Sequence, residues 1–200
     1  MHVPRLGALI TAAGASTRMG LPKALVPWAG APLLVHQVRV LGSVGHKIEV
    51  VAVVGCHEPL IRADHAARPE LAELVLVDNP RWEEGRSTSL EVGARALRGC
   101  DAALVVAVDQ PLEAEVVKAL LAALTPRGDE ADVVAPRFEG RRGHPLLVSA
   151  AVLAELEQAS RHVMGLRDIV RAARVREVDV ASASIHLDLN TPEDLARAHR

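Results

Sequence analysis

The segment LITAAGASTRMGLPK, residues 9–23, runs from a short apolar strand into a bend rich in small residues. Small side chains allow backbone N–H groups to approach a ligand closely. Arg18 and Lys23 add positive charge, and Ser16 and Thr17 add hydroxyl groups, so the bend suits a phosphate chain. The spacing matches neither a P-loop nor the Gly-x-Gly-x-x-Gly dinucleotide turn. An ordinary loop with two solvated cations is the alternative interpretation.

Apolar runs and helical patterns alternate through the first two thirds of the chain. Four apolar runs predict strands: 9–12, 48–54, 74–77 and 102–108. Helical spacing predicts helices over 32–44 and about 113–124, and a stripe at 90, 94 and 97 predicts another that Ser87 or Ser89 caps. The strand runs do not alternate with polar residues, which is typical of a parallel sheet covered by helices on both faces. This order predicts an open α/β sheet.

The last third of the chain is less regular. Predicted strands 132–135 and 145–148 flank the turn FEGRRG, and the pattern further predicts helices over 150–158 and 166–173 and short strands over 175–180 and 185–189. Thr191, Pro192 and the acids after them are a strong helix start. No repeat or long linker divides the chain, so residues 1–200 are predicted to form a single domain.

The composition excludes several classes of protein. With 200 residues, 50% of them hydrophobic, and a mean hydropathy of +0.18, the chain can bury a core and is not disordered. The formal net charge of −2 provides no general field for nucleic acid or an anionic membrane. One Phe, two Trp and no Tyr offer little aromatic surface for stacking on single-stranded nucleic acid.

The cysteines and the N-terminal stretch exclude further classes of protein. Cys56 and Cys100 are too few for a disulfide framework or a zinc site, and no histidines have zinc-ligand spacing. The first residues lack the long apolar stretch of a signal peptide, and run 102–108 is too short to span a bilayer. We therefore expect a soluble cytoplasmic protein that binds neither nucleic acid nor membrane.

Asp109 directly follows the apolar run 102–108. Open α/β sheets bind ligands beyond the carboxyl ends of their strands, and a carboxylate there can hold Mg²⁺ together with substrate phosphates. Asp188 and Asn190 end another predicted strand and could complete the oxygen ligands. A turn aspartate before Pro111 and simple helix capping are the alternatives.

Two polar segments are further candidates. The loop NPRWEEGRSTS, residues 79–89, enters a predicted helix, whose N-terminus favours an anion. A surface connection anchored by Trp82 explains it equally well. The segment RFEGRRGHP, residues 137–145, is the most basic, and arginines bind phosphate through paired hydrogen bonds. His144 is either a donor to substrate or a structural partner, and a solvated hairpin tip is the alternative.

The order of these segments is more specific than any one of them. The chain carries TAAGxSxRMGxxK at 11–23, GxPL at 30–33, DxP at 109–111, GHP at 143–145 and DxNTPED at 188–194. This series resembles the MobA-like nucleotidyltransferases over nearly the whole chain. The GHP after a basic turn and the NPxWxxG loop look most like the molybdenum cofactor cytidylyltransferases.

The resemblance implies a Rossmann-like three-layer sandwich with a mostly parallel sheet and a small antiparallel insertion. It implies Mg²⁺-dependent transfer of CMP from CTP to the terminal phosphate of molybdopterin, with release of pyrophosphate. TAAG at 11–14, where guanylyl-transferring relatives usually have LAGG, favours CTP over GTP. Gln110, where many relatives have Met, and Asn190, where related cytidylyltransferases often have Asp, depart from the family pattern.

The resemblance also implies roles for individual residues. The catalytic residues would be Arg18, Lys23 and Asp109. The nucleotide site would add to these three Thr11, Ala12, Ala13, Gly14, Asn79, Gly85 and Ser89. Arg141, Arg142 and His144 would face the acceptor. Asp109, Asp188 and Asn190 would hold the metal ion.

Other functions stay open at this point. GTP could replace CTP, or the acceptor could be methylerythritol phosphate or a sugar phosphate, and segment 137–145 would discriminate between acceptors. A nucleotide-binding chaperone without catalysis would bind the nucleotide but release no pyrophosphate. A molybdoenzyme or its chaperone is a further expected partner.

Overall fold

The computed structural model describes residues 3–124 and 131–198. Within these ranges the chain forms ten strands and seven helices. The strands are β1 (Leu6–Thr11), β2 (Pro27–Trp28), β3 (Ala31–Pro32), β4 (Ile48–Val54), β5 (Val75–Asp78), β6 (Ala102–Ala107), β7 (Val133–Phe138), β8 (Arg141–Arg142), β9 (Leu146–Ser149) and β10 (Val175–Asp179). The helices are α1 (Leu33–Ser43), α2 (Glu58–Ala66), α3 (Arg86–Ala96), α4 (Ala114–Ala122), α5 (Ala150–Leu156), α6 (Leu166–Ala172) and α7 (Pro192–Ala198).

An eight-stranded sheet runs through the centre of the fold, with β8 paired to β7 and the other strands in the order β10-β7-β9-β6-β1-β4-β5. β1 pairs in parallel with both β4 and β6, β4 with β5, and β7 with β10. β9 lies antiparallel between β6 and β7. β2 and β3 form a separate antiparallel pair. The expected Rossmann-like, mostly parallel sheet with a small antiparallel insertion is confirmed.

Each face of the sheet carries its own apolar core, because successive strand residues point to opposite faces. Ala8 and Ile10 of β1 pack with residues of α1 and α4 in one core. Leu9 packs with residues of α3 and α5 in the other. β6 is buried along its whole length, which explains why its sequence is continuously apolar. Helices on both faces of the sheet make the three layers.

The structure corrects four local predictions. Residues 185–189, predicted as a strand, instead begin with the end of a 3-10 turn at Ala183–His186 and continue without regular structure. The turn FEGRRG contains the short strand β8. Helix α3 begins at Arg86 after Gly85, so neither Ser87 nor Ser89 caps it. Helix α2 was not predicted at all.

The predicted start of the last helix is confirmed. The Thr191 hydroxyl accepts a hydrogen bond from the Asp194 N–H at 3.2 Å, and the Asp194 carboxylate accepts one from the Thr191 N–H at 2.9 Å. This reciprocal pair is a capping box with Asp in the usual Glu position. Both cysteines are free. In the described ranges, no helix has the length and apolar character needed to cross a membrane.

Candidate functional site

The bend after β1 and the loop after β6 leave the same edge of the sheet. Thr11 is in register with Ala107, because β1 and β6 are parallel neighbours. The Val108 N–H donates to the Thr11 carbonyl at 3.1 Å, which joins the two strands where they end. The carboxyl ends of parallel strands are where open α/β sheets bind ligands. The geometry of the sheet therefore brings Asp109 next to the bend.

The bend itself is held from two sides. Ser16 adopts a positive φ of 52°, and its hydroxyl accepts a hydrogen bond from the Lys23 N–H at 3.1 Å. From the connection between β4 and α2, a ring nitrogen of His57 bonds the Ala15 carbonyl at 2.8 Å, and the Cys56 N–H donates to the Ala13 carbonyl at 3.0 Å. These contacts fix the backbone of the bend without using the side chains of Arg18 and Lys23.

A compact polar cluster lies across this edge. The Lys23 ammonium donates to Oδ2 of Asp109 at 2.6 Å and to Oδ1 of Asn190 at 2.7 Å. The Arg18 guanidinium donates to the same Asn190 oxygen at 3.1 Å. The side chains of Lys23 and Asp109 are only 17% and 19% exposed, so their charges interact with little screening by water. The structure thus brings together four of the predicted site residues from three distant segments.

The Asp109 loop is supported from behind by a buried glutamine. Gln37 of α1 is fully buried and donates to the carbonyls of Val108 at 3.3 Å and Gln110 at 2.8 Å. Its side-chain oxygen accepts from the Leu112 N–H at 3.0 Å. These three bonds hold the loop on both sides of Asp109.

The oxygen donors at the edge fit a hard divalent cation. The Lys23 ammonium already bridges Asp109 and Asn190, so one carboxylate and one amide oxygen face a common cation position. Asp188 is exposed, lies outside the cavity lining, and accepts a hydrogen bond from Gln110 at 2.7 Å. Among residues 3–124 and 131–198, no three acidic, His or Cys side chains cluster as a ready-made metal site. Mg²⁺ takes one or two carboxylates plus substrate phosphates, which matches this set.

The cluster lines a cavity of about 410 Å³. Its lining includes ten of the predicted site residues: Thr11, Ala12, Ala13, Gly14, Arg18, Lys23, Gly85, Ser89, Asp109 and Asn190. Trp82 and Arg86 also line it, although sequence reasoning assigned neither to the site.

Asn79 lies behind this cavity and not in its lining. It is 1% exposed, and its side-chain amide donates to the hydroxyls of Thr88 at 2.9 Å and Ser89 at 3.0 Å. Its side-chain oxygen accepts from the Arg81 N–H at 3.0 Å. Asn79 therefore ties the loop after β5 to the first turns of α3, and Ser89 is the member of this network that lines the cavity.

A second cavity of about 520 Å³ lies on the other side of the first turn of α3. Of the residues predicted to face the acceptor, Arg142 and His144 line it, whereas Arg141 does not. Arg142 forms an ion pair with Glu177 of β10, which compensates its charge. Arg86 lines both cavities and is the residue at which they meet.

His144 is electrostatically coupled to both cavities. Burial lowers its pKa below the usual 6.5, and Arg86 lowers it further, whereas Asp188 and Asp109 oppose the shift. The ring is therefore mainly neutral at pH 7, with one nitrogen that donates a hydrogen bond and one that accepts. Its backbone N–H donates to the Ile185 carbonyl at 2.9 Å, which fixes the GHP segment against the 3-10 turn.

The sequence matches one family as a whole. A family model for the MobA-like NTP transferase domain matches residues 8–178. The chain belongs to this family. The resemblance indicated by the motifs is confirmed, and the chain is a nucleotidyltransferase domain of the MobA-like type.

Two curated relatives of this MobA-like domain align over nearly their full length. The molybdenum cofactor cytidylyltransferase of Escherichia coli (strain K12) is 25% identical over 194 residues, which cover 96% of this chain and 95% of that protein. A probable molybdenum cofactor guanylyltransferase of Bacillus cereus (strain ZK / E33L) is 24% identical over 203 residues, covering 98% and 96%. Because the two identities are nearly equal, they do not decide between cytidylyl and guanylyl transfer.

The MobA-like fold also matches solved structures. Rv0371c from Mycobacterium tuberculosis H37Rv superimposes with a TM-score of 0.80 at 23% identity, over 98% of this chain and 97% of that one. The same protein in complex with manganese gives a TM-score of 0.72 at 22% identity, over 96% and 97%. At these identities the likeness establishes the fold.

Several residues that shape the MobA-like site were missed from sequence. Gln37 and His57 act through backbone carbonyls of other segments, so no local pattern marks them. Trp82 stood in a recognised loop, but a lone tryptophan is as typical of a packing anchor as of a ligand contact. Arg86 could have been singled out from its sequence position, because it follows a glycine at a predicted helix start, where cations are not expected.

Proposed function

We propose that this chain transfers CMP from CTP to the terminal phosphate of molybdopterin, with a divalent cation such as Mg²⁺, and releases pyrophosphate. The observation that carries the proposal is the cluster of Arg18, Lys23, Asp109 and Asn190 lining one cavity beside a second, partly apolar one. The names of the two full-length relatives support molybdopterin as the acceptor. The choice of CTP over GTP rests on Ala13, which lines the first cavity.

The reaction is an in-line displacement at phosphorus. An oxygen of the acceptor's terminal phosphate forms a bond to the α-phosphorus of the nucleotide, and the bond from that phosphorus to the bridging α,β-oxygen breaks. Pyrophosphate leaves with that electron pair, and the product is a dinucleotide-type diphosphate. The acceptor phosphate is already an anionic nucleophile, so no covalent enzyme intermediate is needed.

The protein's task is to align two anions that repel each other. Holding reactants in a productive geometry can contribute about 7–11 kcal/mol. Arg18 and Lys23 bind the triphosphate and offset the charge that grows on the leaving group. Asp109 and Asn190, with Asp188 supporting the neighbouring Gln110, would hold the divalent ion, which would neutralise charge on the phosphate oxygens when bound.

Ala13 is the basis for preferring CTP. Ala13 lines the first cavity, and the tight packing of Gly55 against Ala13 and Trp82 leaves it little room to shift: a Cβ built on Gly55 would lie 2.9 Å from the Cβ of Ala13. The Ala13 methyl group, at a position where guanylyl-transferring relatives usually have Gly, leaves more room for a one-ring pyrimidine than for a two-ring purine. The preceding Thr11 and Ala12 contribute to the same wall.

The acceptor is assigned to the second cavity. Its lining combines apolar side chains with Arg142 and His144, which suits a molecule with a flat, largely uncharged body and a phosphate. Arg141 of β8 is exposed outside the lining, and its carbonyl accepts from His186 at 3.3 Å. Its role as an acceptor contact therefore requires a ligand that extends beyond the cavity.

A nucleotide panel tests the nucleotide assignment. CTP with Mg²⁺ is expected to raise the melting temperature more than GTP, ATP or UTP at equal concentration, since selective binding stabilises the folded state by mass action. Ala13→Gly is expected to reduce the preference for CTP over GTP by about tenfold, the scale of one methyl group in a pocket. A larger shift with GTP in the unmodified protein contradicts the cytidylyl assignment.

Pyrophosphate release tests the reaction itself. Release from CTP is expected with molybdopterin and not with methylerythritol phosphate or a sugar phosphate. Asp109→Ala is expected to abolish release, whereas Glu115→Gln, an exposed carboxylate on α4, leaves it unchanged. Near-normal release by Asp109→Ala contradicts the metal role. Binding of CTP without any release favours a chaperone that binds nucleotide.

A further inference from the structure

Two arginines at the second cavity have unusually free side chains. Most guanidinium groups of the described residues are engaged by carboxylates or carbonyls, such as Arg98 by Glu157. The guanidinium groups of Arg86 and Arg167 form no hydrogen bond or ion pair with any residue of the described ranges, and both line the second cavity. Their positive charges are available to a ligand.

The other polar groups of this cavity carry little free charge. Arg142 is bound to Glu177, and Arg137, which also contacts Glu177 at 3.0 Å, is paired with Asp179, so each of these two arginines has a carboxylate partner. His144 has a lowered pKa and is mainly neutral at pH 7. The uncompensated charge of the cavity therefore comes from Arg86 and Arg167. The rest of the lining is mainly apolar: Leu90, Ala135, Leu146, Met164, Leu166 and Val170.

Arg86 has a position that Arg167 does not share. It is the first residue of α3, and the turn that it begins forms the wall between the cavities. Ser89 lines only the first cavity and Ser87 only the second, whereas Arg86 lines both. Its guanidinium can reach a group that enters one cavity from the other.

We propose that Arg86 determines acceptor specificity by binding the acceptor's terminal phosphate where the two cavities meet, with Arg167 as a second cation in the acceptor cavity. This inference rests on the proposed function and names a residue for it. The attacking phosphate must approach the α-phosphorus in the first cavity while the rest of the acceptor stays in the second. A guanidinium at the boundary binds two phosphate oxygens and offsets the repulsion between the anions.

The variants for this test are Arg86→Gln, Arg86→Lys and Arg167→Gln. Arg171→Gln is the matched control, because Arg171 lies one turn beyond Arg167 on α6, is exposed and does not line the cavity. Arg86 has no partner to lose within the described chain, so its substitution leaves the fold intact. Melting temperatures of all variants check this.

Arg86→Gln is expected to raise the KM for the acceptor by about tenfold or more, the scale of a charge-assisted hydrogen bond, and to change the Kd for CTP by less than about threefold. Arg86→Lys recovers part of the loss, since a lysine keeps the charge without the paired geometry. Arg167→Gln gives a smaller rise, and Arg171→Gln gives none. An unchanged acceptor KM in Arg86→Gln, or an equal loss of CTP affinity, overturns the inference.

A binding measurement separates this inference from the function on which it rests. Phenyl phosphate is the probe, and phenol is its uncharged counterpart, with binding followed by competition or NMR titration. Arg86-dependent binding of phenyl phosphate by a protein that releases no pyrophosphate overturns the proposed function and supports the anion site. Normal pyrophosphate release that does not depend on Arg86 supports the function and overturns the inference.

Discussion

Replacement of Asn79 by alanine tests whether this residue contacts the nucleotide or positions the loop that does. The side chain is 1% exposed and makes three hydrogen bonds, to Thr88 at 2.9 Å, to Ser89 at 3.0 Å and from the Arg81 N–H at 3.0 Å. Alanine removes all three and leaves a small void behind the first cavity. The loop at 79–85 then loses the Asn79 bonds to α3 and is held there by the remaining contacts, such as the Thr88 hydroxyl on the Arg81 carbonyl.

The cost follows from these contacts. Each hydrogen bond contributes about 1 kcal/mol net, so we expect Asn79→Ala to lower the free energy of unfolding by about 3 kcal/mol. For a chain of this size, 1 kcal/mol corresponds to about 2–4 °C, so the melting temperature falls by about 6–12 °C. Differential scanning calorimetry measures both quantities.

Asn190→Ala is the informative comparison. Asn190 lines the first cavity and its side-chain oxygen accepts from Lys23 and Arg18, so its loss lowers pyrophosphate release with little change in melting temperature. If Asn79 only positions the loop, Asn79→Ala should instead cause a large loss of stability, which bound CTP partly restores. If Asn79→Ala keeps its melting temperature within about 2 °C and loses CTP affinity, the buried network is not the reason for this residue, and the reasoning fails.

Three further predictions concern the site and its supports. Lys23→Met is expected to reduce pyrophosphate release by about 100-fold or more in a steady-state assay, as for removal of one preorganised charge donor, while Lys118→Met on the surface of α4 leaves it unchanged. Gly143→Ala is expected to destabilise the protein by about 1–3 kcal/mol in urea unfolding and to raise the acceptor KM, because its Cβ would lie 2.4 Å from the Ile185 carbonyl oxygen. Glu91 is buried, which favours a raised pKa, but bonds from Ser160 and the charges of neighbouring arginines lower its pKa below the usual 4.5. The stability that the ionised Glu91 contributes is therefore fully present above the usual pKa and is lost as pH falls through the lower folded pKa. The melting temperature of Glu91→Gln should therefore fall less steeply with decreasing pH than that of the wild type over this acidic range.

The elements that the sequence predicted are those whose burial shows in their own pattern. Strands 48–54 and 102–108 are continuously apolar because both faces of the sheet are covered, and β4 and β6 match them closely. Helix α2 was missed because Ile61 is its one buried residue, so it has no apolar stripe. The run at 185–189 looked like a strand, but only Ile185 and Leu189 are buried, and no neighbouring strand pairs with it within the described sheet.

The residues of the candidate site also fall into those that the sequence predicted and those that it did not. Arg18, Lys23 and Asp109 were predictable, because each belongs to a segment whose composition already suits phosphate or metal chemistry. Asn190 was expected near Asp109 as a metal ligand, but its direct hydrogen bonds to Arg18 and Lys23 could not be predicted, since 167 positions separate it from Lys23. The sequence also did not show which arginines are paired with carboxylates. The carboxylate that pairs with Arg142 comes from β10, an element with no motif of its own.

Helix α3 sets the distance between the two cavities. A Cβ on Gly93 would lie 1.5 Å from a methyl carbon of Leu9. Only glycine at position 93 therefore lets α3 pack this closely against β1. Glu91, two residues nearer the helix start, is 4% exposed and accepts a hydrogen bond from the Ser160 N–H at 2.9 Å, which ties α3 to the segment before α6. Close contact with β1 and this buried carboxylate leave α3 little freedom to move. The turn that carries Arg86 therefore keeps a constant position relative to Asp109, which an in-line reaction between two separately bound anions requires.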